Sequence, residues 1–98
     1  MVYEIEITEE AQLNFEAAVE YYLLEVNESV AKSFTDEVYS KYDILSVNPF
    51  FQKRHLHYRG LPLDKFPHII FFEVLELDRV IRILSIFHTS QDPKKYPH

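Results

Sequence analysis

The spacing of apolar positions along the chain changes period once, near Pro49, and the change separates a helical half from a strand half. From Val2 to Ile7 the residues alternate, with Val2 opposed to Tyr3, Ile5 and Ile7, which predicts a short opening strand. Thr8 then offers an N-cap hydroxyl, and Glu9 and Glu10 put negative charge on the first turn, where the helix dipole stabilises it. Ala11, Phe15, Ala18, Tyr22 and Val26 follow at helical spacing, with Glu9, Gln12, Glu16 and Glu20 mostly on the other side. After a short connection at Asn27 to Ser29, Val30, Phe34, Val38 and Leu45 form the stripe of a second helix. That helix is predicted to stop at Asn48-Pro49, because proline disfavours helical geometry in the residue before it. Two helices joined so closely pack antiparallel.

Beyond Pro49 the period is two. Lys53, His55, His57 and Arg59 are predicted on one side of a strand, with Leu56 and Tyr58 on the other and Gly60-Leu61-Pro62 at its end. Pro67 to Leu75 and Arg79 to His88 read as two further strands joined at Glu76-Leu77-Asp78. The expected order is β-α-α-β-β-β: an α+β fold in which the last three strands form an antiparallel meander and the helical hairpin covers one sheet face. In residues 68–74 and 80–87 both alternation sets are largely apolar, and such strands want cover on both sides. The hairpin covers one face. An edge, a second copy or a partner chain is expected to cover part of the other, since exposed apolar faces mark interaction sites.

At 98 residues the chain is expected to be one domain, 1–98. Apolar residues at 47% and aromatics at 15% exclude a disordered tail. The absence of cysteine excludes disulfides and thiolate metal sites. No N-terminal basic region with an apolar core reads as a secretory signal, and no apolar run reaches the ~20 residues of a membrane span, so a cytoplasmic location is expected. The net charge of −6 conceals a split: residues 1–47 carry eleven acids and two bases, residues 48–98 five acids and eight bases, and all five histidines. This balance argues against non-specific nucleic-acid binding through counterion release, but leaves room for a local anion-facing surface in the second half. A single glycine, Gly60, argues against a phosphate-cradling Gly loop.

Several segments, in order, carry a resemblance. They are Thr8-Glu9-Glu10-Ala11 after the opening strand, Glu20-Tyr21-Tyr22, Asn48-Pro49-Phe50-Phe51-Gln52, Tyr58-Arg59-Gly60-Leu61-Pro62-Leu63 and Lys65-Phe66-Pro67. Ile86-Phe87-His88-Thr89-Ser90 and Asp92-Pro93-Lys94-Lys95-Tyr96 complete the set. Across essentially the whole chain they resemble the RelE/ParE superfamily of bacterial type II toxin–antitoxin toxins, nearer the ParE branch often labelled plasmid stabilisation. One departure stands out: many relatives carry arginine in the His-x-x-Arg-x-Pro stretch, and this chain has Gln91, which cannot offer a cation to a phosphate. The resemblance implies a toxin held inactive by a cognate antitoxin, with a homodimer or a heterotetramer as assemblies open to it. It also implies one of two targets: DNA gyrase for ParE-like members, or messenger RNA in the ribosomal A site for RelE-like ones.

Metal-free RNA cleavage needs a base, a cation at the phosphate and an acid for the leaving oxygen. If the chain is a nuclease, the candidates are Arg59, His88 and Tyr96; Tyr96 falls where RelE-type enzymes keep a C-terminal tyrosine. The alternative for Tyr96 is docking of the tail, and for His88 a structural hydrogen bond. Candidate target contacts are Lys53, Arg54, His57, Arg59, His88, Gln91, Lys94, Lys95 and Tyr96, and candidate antitoxin contacts are Phe71, Phe72, Ile83 and Ile86. His55 and His57 on one strand face have a spacing that can ligate zinc, but Lys53 and Arg59 beside them would repel a cation, so no metal and no cofactor is expected. With a net charge of −6 the chain is poorly suited to RNA phosphates, so the favoured reading is a ParE-like inhibitor of gyrase. The alternatives are a ribosome-dependent mRNA endonuclease and a degenerate, non-toxic module that retains antitoxin binding.

Overall fold

The computed structural model describes residues 2–50 and 54–97, with the main chain alone for Arg54 and His55. Its elements run β1 (Glu4–Ile7), α1 (Glu9–Glu25), α2 (Glu28–Val47), β2 (Arg54–His55), β3 (Tyr58–Pro62), β4 (His68–Leu75), β5 (Val80–His88) and a closing 3₁₀ turn at Pro93–Lys95. The sheet order is β1-β5-β4-β3-β2, with β1 parallel to β5 and every other pairing antiparallel. The expected order of two helices and an α+β sheet is therefore the observed one, with a two-residue stub, β2, added at one edge.

Both helices begin as their capping residues dictate. Thr8 Oγ1 accepts from the Ala11 N–H at 3.2 Å, and Asn27 Oδ1 accepts from the Val30 N–H at 2.8 Å. α1 stops at Glu25, so Val26 falls outside the helix and is exposed instead of closing the predicted stripe. α2 ends with Asn48 as its C-cap, directly before Pro49. Phe34, Val38 and Leu45 of α2 are fully buried against Ile70 and Phe72 of β4 and Ile81 and Ile83 of β5. Further along, Glu37 of α2 accepts from the main-chain N–H groups of Asp64 and Lys65, and Lys41 pairs with Asp64 at 2.9 Å, fastening the β3–β4 loop to the helix.

The predicted strand through residues 53–59 is corrected. Residues 54–59 form a hairpin, with Arg54 opposite Arg59 and His55 opposite Tyr58. Its turn is Leu56-His57, with Leu56 at φ 56°, a left-handed conformation usually left to glycine. His57 consequently lies in the turn and not two residues along the same strand as His55, as the zinc reading required. Lys53 lies outside the described residues.

β5 is longer than its parallel neighbour, and the transition between them is specific. The β4–β5 register shifts between Phe71 and Phe72, so that Ser85 faces Phe71 while Ile83 faces Phe72, leaving Leu84 as the extra residue of a bulge. The Thr8 N–H donates to the Ile83 carbonyl at 3.2 Å, and Thr8 Oγ1 donates to the same carbonyl at 2.7 Å, with the Leu84 carbonyl 3.2 Å away. Beyond the bulge β1 has ended, and Asn14 of α1 takes its place: its Oδ1 accepts from the Ile86 N–H at 3.1 Å. One threonine thus caps α1 and ties it to the bulge of β5. Thr8→Val, which keeps the shape and deletes the hydroxyl, is expected to destabilise the fold by about 2 kcal/mol, the sum of a lost cap and a lost part-buried hydrogen bond. Thr8→Ser should cost less than half as much. Urea denaturation of the three proteins checks this, and equal midpoints for the parent and Thr8→Val would contradict it.

Candidate functional site

The sheet has two faces of different chemistry. Its inner face, under the helices, holds Ile70, Phe72, Ile81, Ile83 and Ile86. Its outer face carries a second cluster of Tyr58, Phe71 and Phe87, with Ile69, Leu84 and Tyr96 packed on it. The Tyr96 ring lies 4.8 Å from each of the Phe71 and Phe87 rings, centroid to centroid. The 3₁₀ turn sets that ring in place: Asp92 Oδ1 accepts from the Lys94 N–H at 2.9 Å, and the Tyr96 N–H donates to the Pro93 carbonyl at 3.0 Å. Burial, with the Tyr96 phenol beside it, raises the Tyr58 hydroxyl above its ordinary pKa. Gly60 lies beneath this cluster, where a Cβ would come within 3.1 Å of both Ile69 Cγ2 and Phe71 Cε1.

Part of the cover expected on this face, whether from an edge, a second copy or a partner chain, is supplied by the chain's own tail. The candidate antitoxin contacts are corrected accordingly. Phe72 and Ile83 are core residues beneath the helices, Phe71 is 5% exposed under Tyr96, and Ile86, also in the core, reaches the surface only as lining of a cleft beside α1. Two-residue periodicity showed that both faces were apolar but could not say which groups of the same chain would reach each.

Beside the aromatic cluster, the outer face carries charge. Arg82 Nε donates to Glu6 Oε1 at 2.8 Å and Nη1 donates to Glu73 Oε1 at 3.1 Å. These carboxylates raise the guanidinium pKa, Glu6 most, and together they outweigh its single positive charge.

The three residues proposed for RNA cleavage do not meet. Tyr96 covers the outer face. Arg59 pairs with Phe72 across the β3–β4 ladder and so lies on the inner side, where its guanidinium stacks 5.3 Å from the Phe50 centroid. There it borders a small cleft of about 150 Å³ with His57, Val74 and Glu76. His88 is also on the inner side but opposite His68, four residues along β4 from Phe72, or roughly 13 Å at the rise of a strand. Of the remaining candidate target contacts, His57 stands in the exposed hairpin turn, and Lys94 and Lys95 are exposed on the closing turn. Arg54 contributes main chain to β2.

Two of the candidates do come together. His88 and Gln91 line an open cleft of about 440 Å³ between α1 and the paired ends of β4 and β5, with Asn14, Ala17, Ala18, Tyr21, Tyr22, His68, Ile86 and Ser90. His88 Nδ1 accepts from the Ser90 N–H at 3.1 Å and lies 2.7 Å from the Ser90 hydroxyl, and Gln91 Oε1 accepts from the His88 N–H at 3.3 Å. The His68 and His88 rings meet edge to face at 4.9 Å, and His68 also packs against Phe34 at 5.0 Å and Tyr22 at 6.0 Å. His68, Asn14 and Tyr22 were not singled out as site residues from the sequence. Among the described residues no group of three or more His, Asp or Glu side chains is placed to hold a metal ion.

The family model for the ParE toxin of type II toxin–antitoxin systems, parDE, matches residues 5–93. The chain belongs to the ParE toxin family. Solved structures similar to this ParE-family chain include the chromosomal ParDE system from P. aeruginosa, with a TM-score of 0.75 at 19% identity over 89% of this chain and 96% of that one. The isolated E. coli RelE toxin is similar with a TM-score of 0.64 at 11% identity over 94% and 89%. The intact E. coli RelBE toxin–antitoxin complex contains a chain similar at 0.62 and 12% identity over 87% and 94%. No curated protein matches the chain in sequence. Among the described residues no helix is long and apolar enough to cross a membrane.

Burial of His68 gives the fold of this ParE-family chain a pH dependence. Desolvation, helped by the neighbouring His88, lowers its pKa from 6.5 to about 4. Between those values the unfolded chain binds a proton at this position that the folded chain does not. Stability from this source is therefore complete above pH 6.5, falls as pH drops towards 4, and changes no further below that. The loss is on the order of 2–3 kcal/mol. His68→Phe, set among Phe34 and Tyr22, should reduce the decline in unfolding free energy between pH 7 and 4.5 by about that amount. Equal declines in parent and variant by denaturant titration would show that another group is responsible.

Proposed function

We propose that this ParE-family toxin acts by binding a protein target, DNA gyrase, and not by cutting RNA, and that a cognate antitoxin binds it in turn. The separation of Arg59, His88 and Tyr96 carries this reading. Cleavage without a metal needs base, cation and acid around a single phosphate, and here these groups occupy two faces and two ends of one sheet. The electrostatics agree. Arg82, on the same face as Tyr96, is held between Glu6 and Glu73, so a scissile phosphate there would meet two carboxylates around one guanidinium. A protein target makes no such demand, because protein interfaces combine an apolar centre with a polar rim.

The antitoxin reading rests on different residues from those first expected. Leu13, Ala17, Tyr21 and Leu24 form a stripe along α1, and Leu13, Tyr21 and Leu24 are 56%, 59% and 71% exposed. Apolar side chains in helical register on an open face suit an amphipathic partner segment. The RelBE neighbour is itself a toxin–antitoxin complex.

Induced expression is expected to cause filamentation and DNA-damage signalling while bulk translation continues at first, and the purified chain should inhibit gyrase supercoiling. Tyr96→Phe keeps the ring that covers Phe71 and Phe87 and should retain full toxicity. Rapid translational arrest with A-site mRNA cuts, abolished by Tyr96→Phe or Arg59→Ala, would overturn this in favour of the nuclease. Unaffected growth with folded protein present would favour the non-toxic, antitoxin-binding module.

A further inference from the structure

The cleft between α1 and the ends of β4 and β5 is lined by donors whose acceptor atoms are already engaged. A main-chain N–H can only donate, so its contact fixes the orientation of the side chain that receives it. The Ile86 N–H points at Asn14 Oδ1, at 3.1 Å, which turns the Asn14 amide so that its NH₂ is the end left over. The His88 N–H does the same to Gln91 Oε1 at 3.3 Å. The Ser90 N–H reaches His88 Nδ1 at 3.1 Å, so this imidazole keeps its proton on Nε2. Among the described residues, none of these three remaining donors is given to another protein group. Tyr21 and Tyr22 add hydroxyls to the same cleft, and Ala17 and Ala18 keep its helix wall low.

The charge pattern narrows the ligand. Residues 1–47 carry eleven acids, yet α1 turns none of them into this cleft, so nothing there repels an anion. No lysine or arginine lines it either, so a phosphate dianion would lack compensation. A set of neutral donors suits one delocalised negative charge with two acceptor oxygens. On the cleft wall His68 is 5% exposed, and its Nδ1 is buried without a hydrogen-bond partner. An unpaired buried nitrogen costs stability, and such groups persist where a site imposes them.

We propose that this cleft is a carboxylate-binding site, with the Asn14 and Gln91 amides and the His88 imidazole as its donors. The inference does not depend on which target the toxin acts on. It is tested with the full-length, ¹⁵N-labelled chain by following the side-chain amide signals of Asn14 and Gln91 and the ring signals of His88. The probes are sodium acetate, a blocked peptide containing one glutamate between alanines and leucines, and inorganic phosphate, with sodium chloride at matched ionic strength as the reference. Saturable shifts are expected with acetate and with the peptide. Asn14→Asp and Gln91→Glu each retain the oxygen that accepts the main-chain N–H while replacing the donor by negative charge, so each should weaken binding at least tenfold. If Asn14→Asp does not fold, Gln91→Glu, on the exposed segment after β5, decides alone. Peptide binding tenfold or more tighter than acetate would assign the carboxylate to an acidic side chain of a partner, and equal affinities would assign it to a free acid. Shifts no larger than those with chloride, variants that bind as well as the parent, or phosphate binding more tightly than acetate would each overturn the proposal.

Discussion

The β4–β5 pair is apolar on both faces, and the rest of the molecule is arranged to keep both faces from water. Phe72 and Ile83 face each other beneath the helices, while Ile69 and Phe87 face each other on the far side. A helical hairpin can dress only one of these faces. The second is dressed by Tyr58 from β3 and by Tyr96, delivered by a 3₁₀ turn after β5. Each aromatic ring buried in this way contributes a few kcal/mol, against the ordering of a short tail. The Leu84 bulge follows from the same demand. It lets β5 pass from its pairing with β1 to its packing against α1, and Thr8 and Asn14 receive the main-chain groups that the change leaves over.

Much of this was legible in the amino-acid pattern. The opening strand, Thr8 as a cap, both helices, the stop at Asn48-Pro49 and the last two strands all follow from period and capping chemistry, because each is decided within one turn or one strand. The hairpin at Leu56 was not legible. Its side chains alternate as a continuous strand would, and the chain turns through a left-handed leucine where a glycine or asparagine would have signalled the bend. Which residue covers which sheet face was also hidden, since Tyr96 and Phe71 are 25 positions apart and are joined only by the three-dimensional path of the tail.

The candidate site was half legible for a related reason. His88 and Gln91 were singled out, whereas His68, their neighbour, was passed over as the first residue of an apolar strand. The register set at the loop, Leu75 opposite Val80, would place His68 opposite Phe87, and only the Leu84 bulge, which alternation does not reveal, shifts it opposite His88. Arg59, His88 and Tyr96 failed as a set because a list of suitable side chains carries no information about faces. Strand pairing puts Arg59 beside Phe72 on the inner side, while the path of the tail puts Tyr96 beside Phe71 on the outer one.

The proposed protein-binding reading also rests on the distribution of charge. On the outer face, the guanidinium that could meet a phosphate is committed to Glu6 and Glu73, and the neighbouring surface is aromatic. On the helix side, α1 directs its acids away from the cleft and keeps its apolar stripe in the open, and the cleft itself is lined by amides, phenols and imidazoles. A nucleic acid binds through many phosphates and rewards an excess of cations, which neither surface offers among the described residues. A folded protein or an amphipathic segment binds through apolar area and a few directed hydrogen bonds, and those are the groups that this chain leaves exposed once its own core is satisfied.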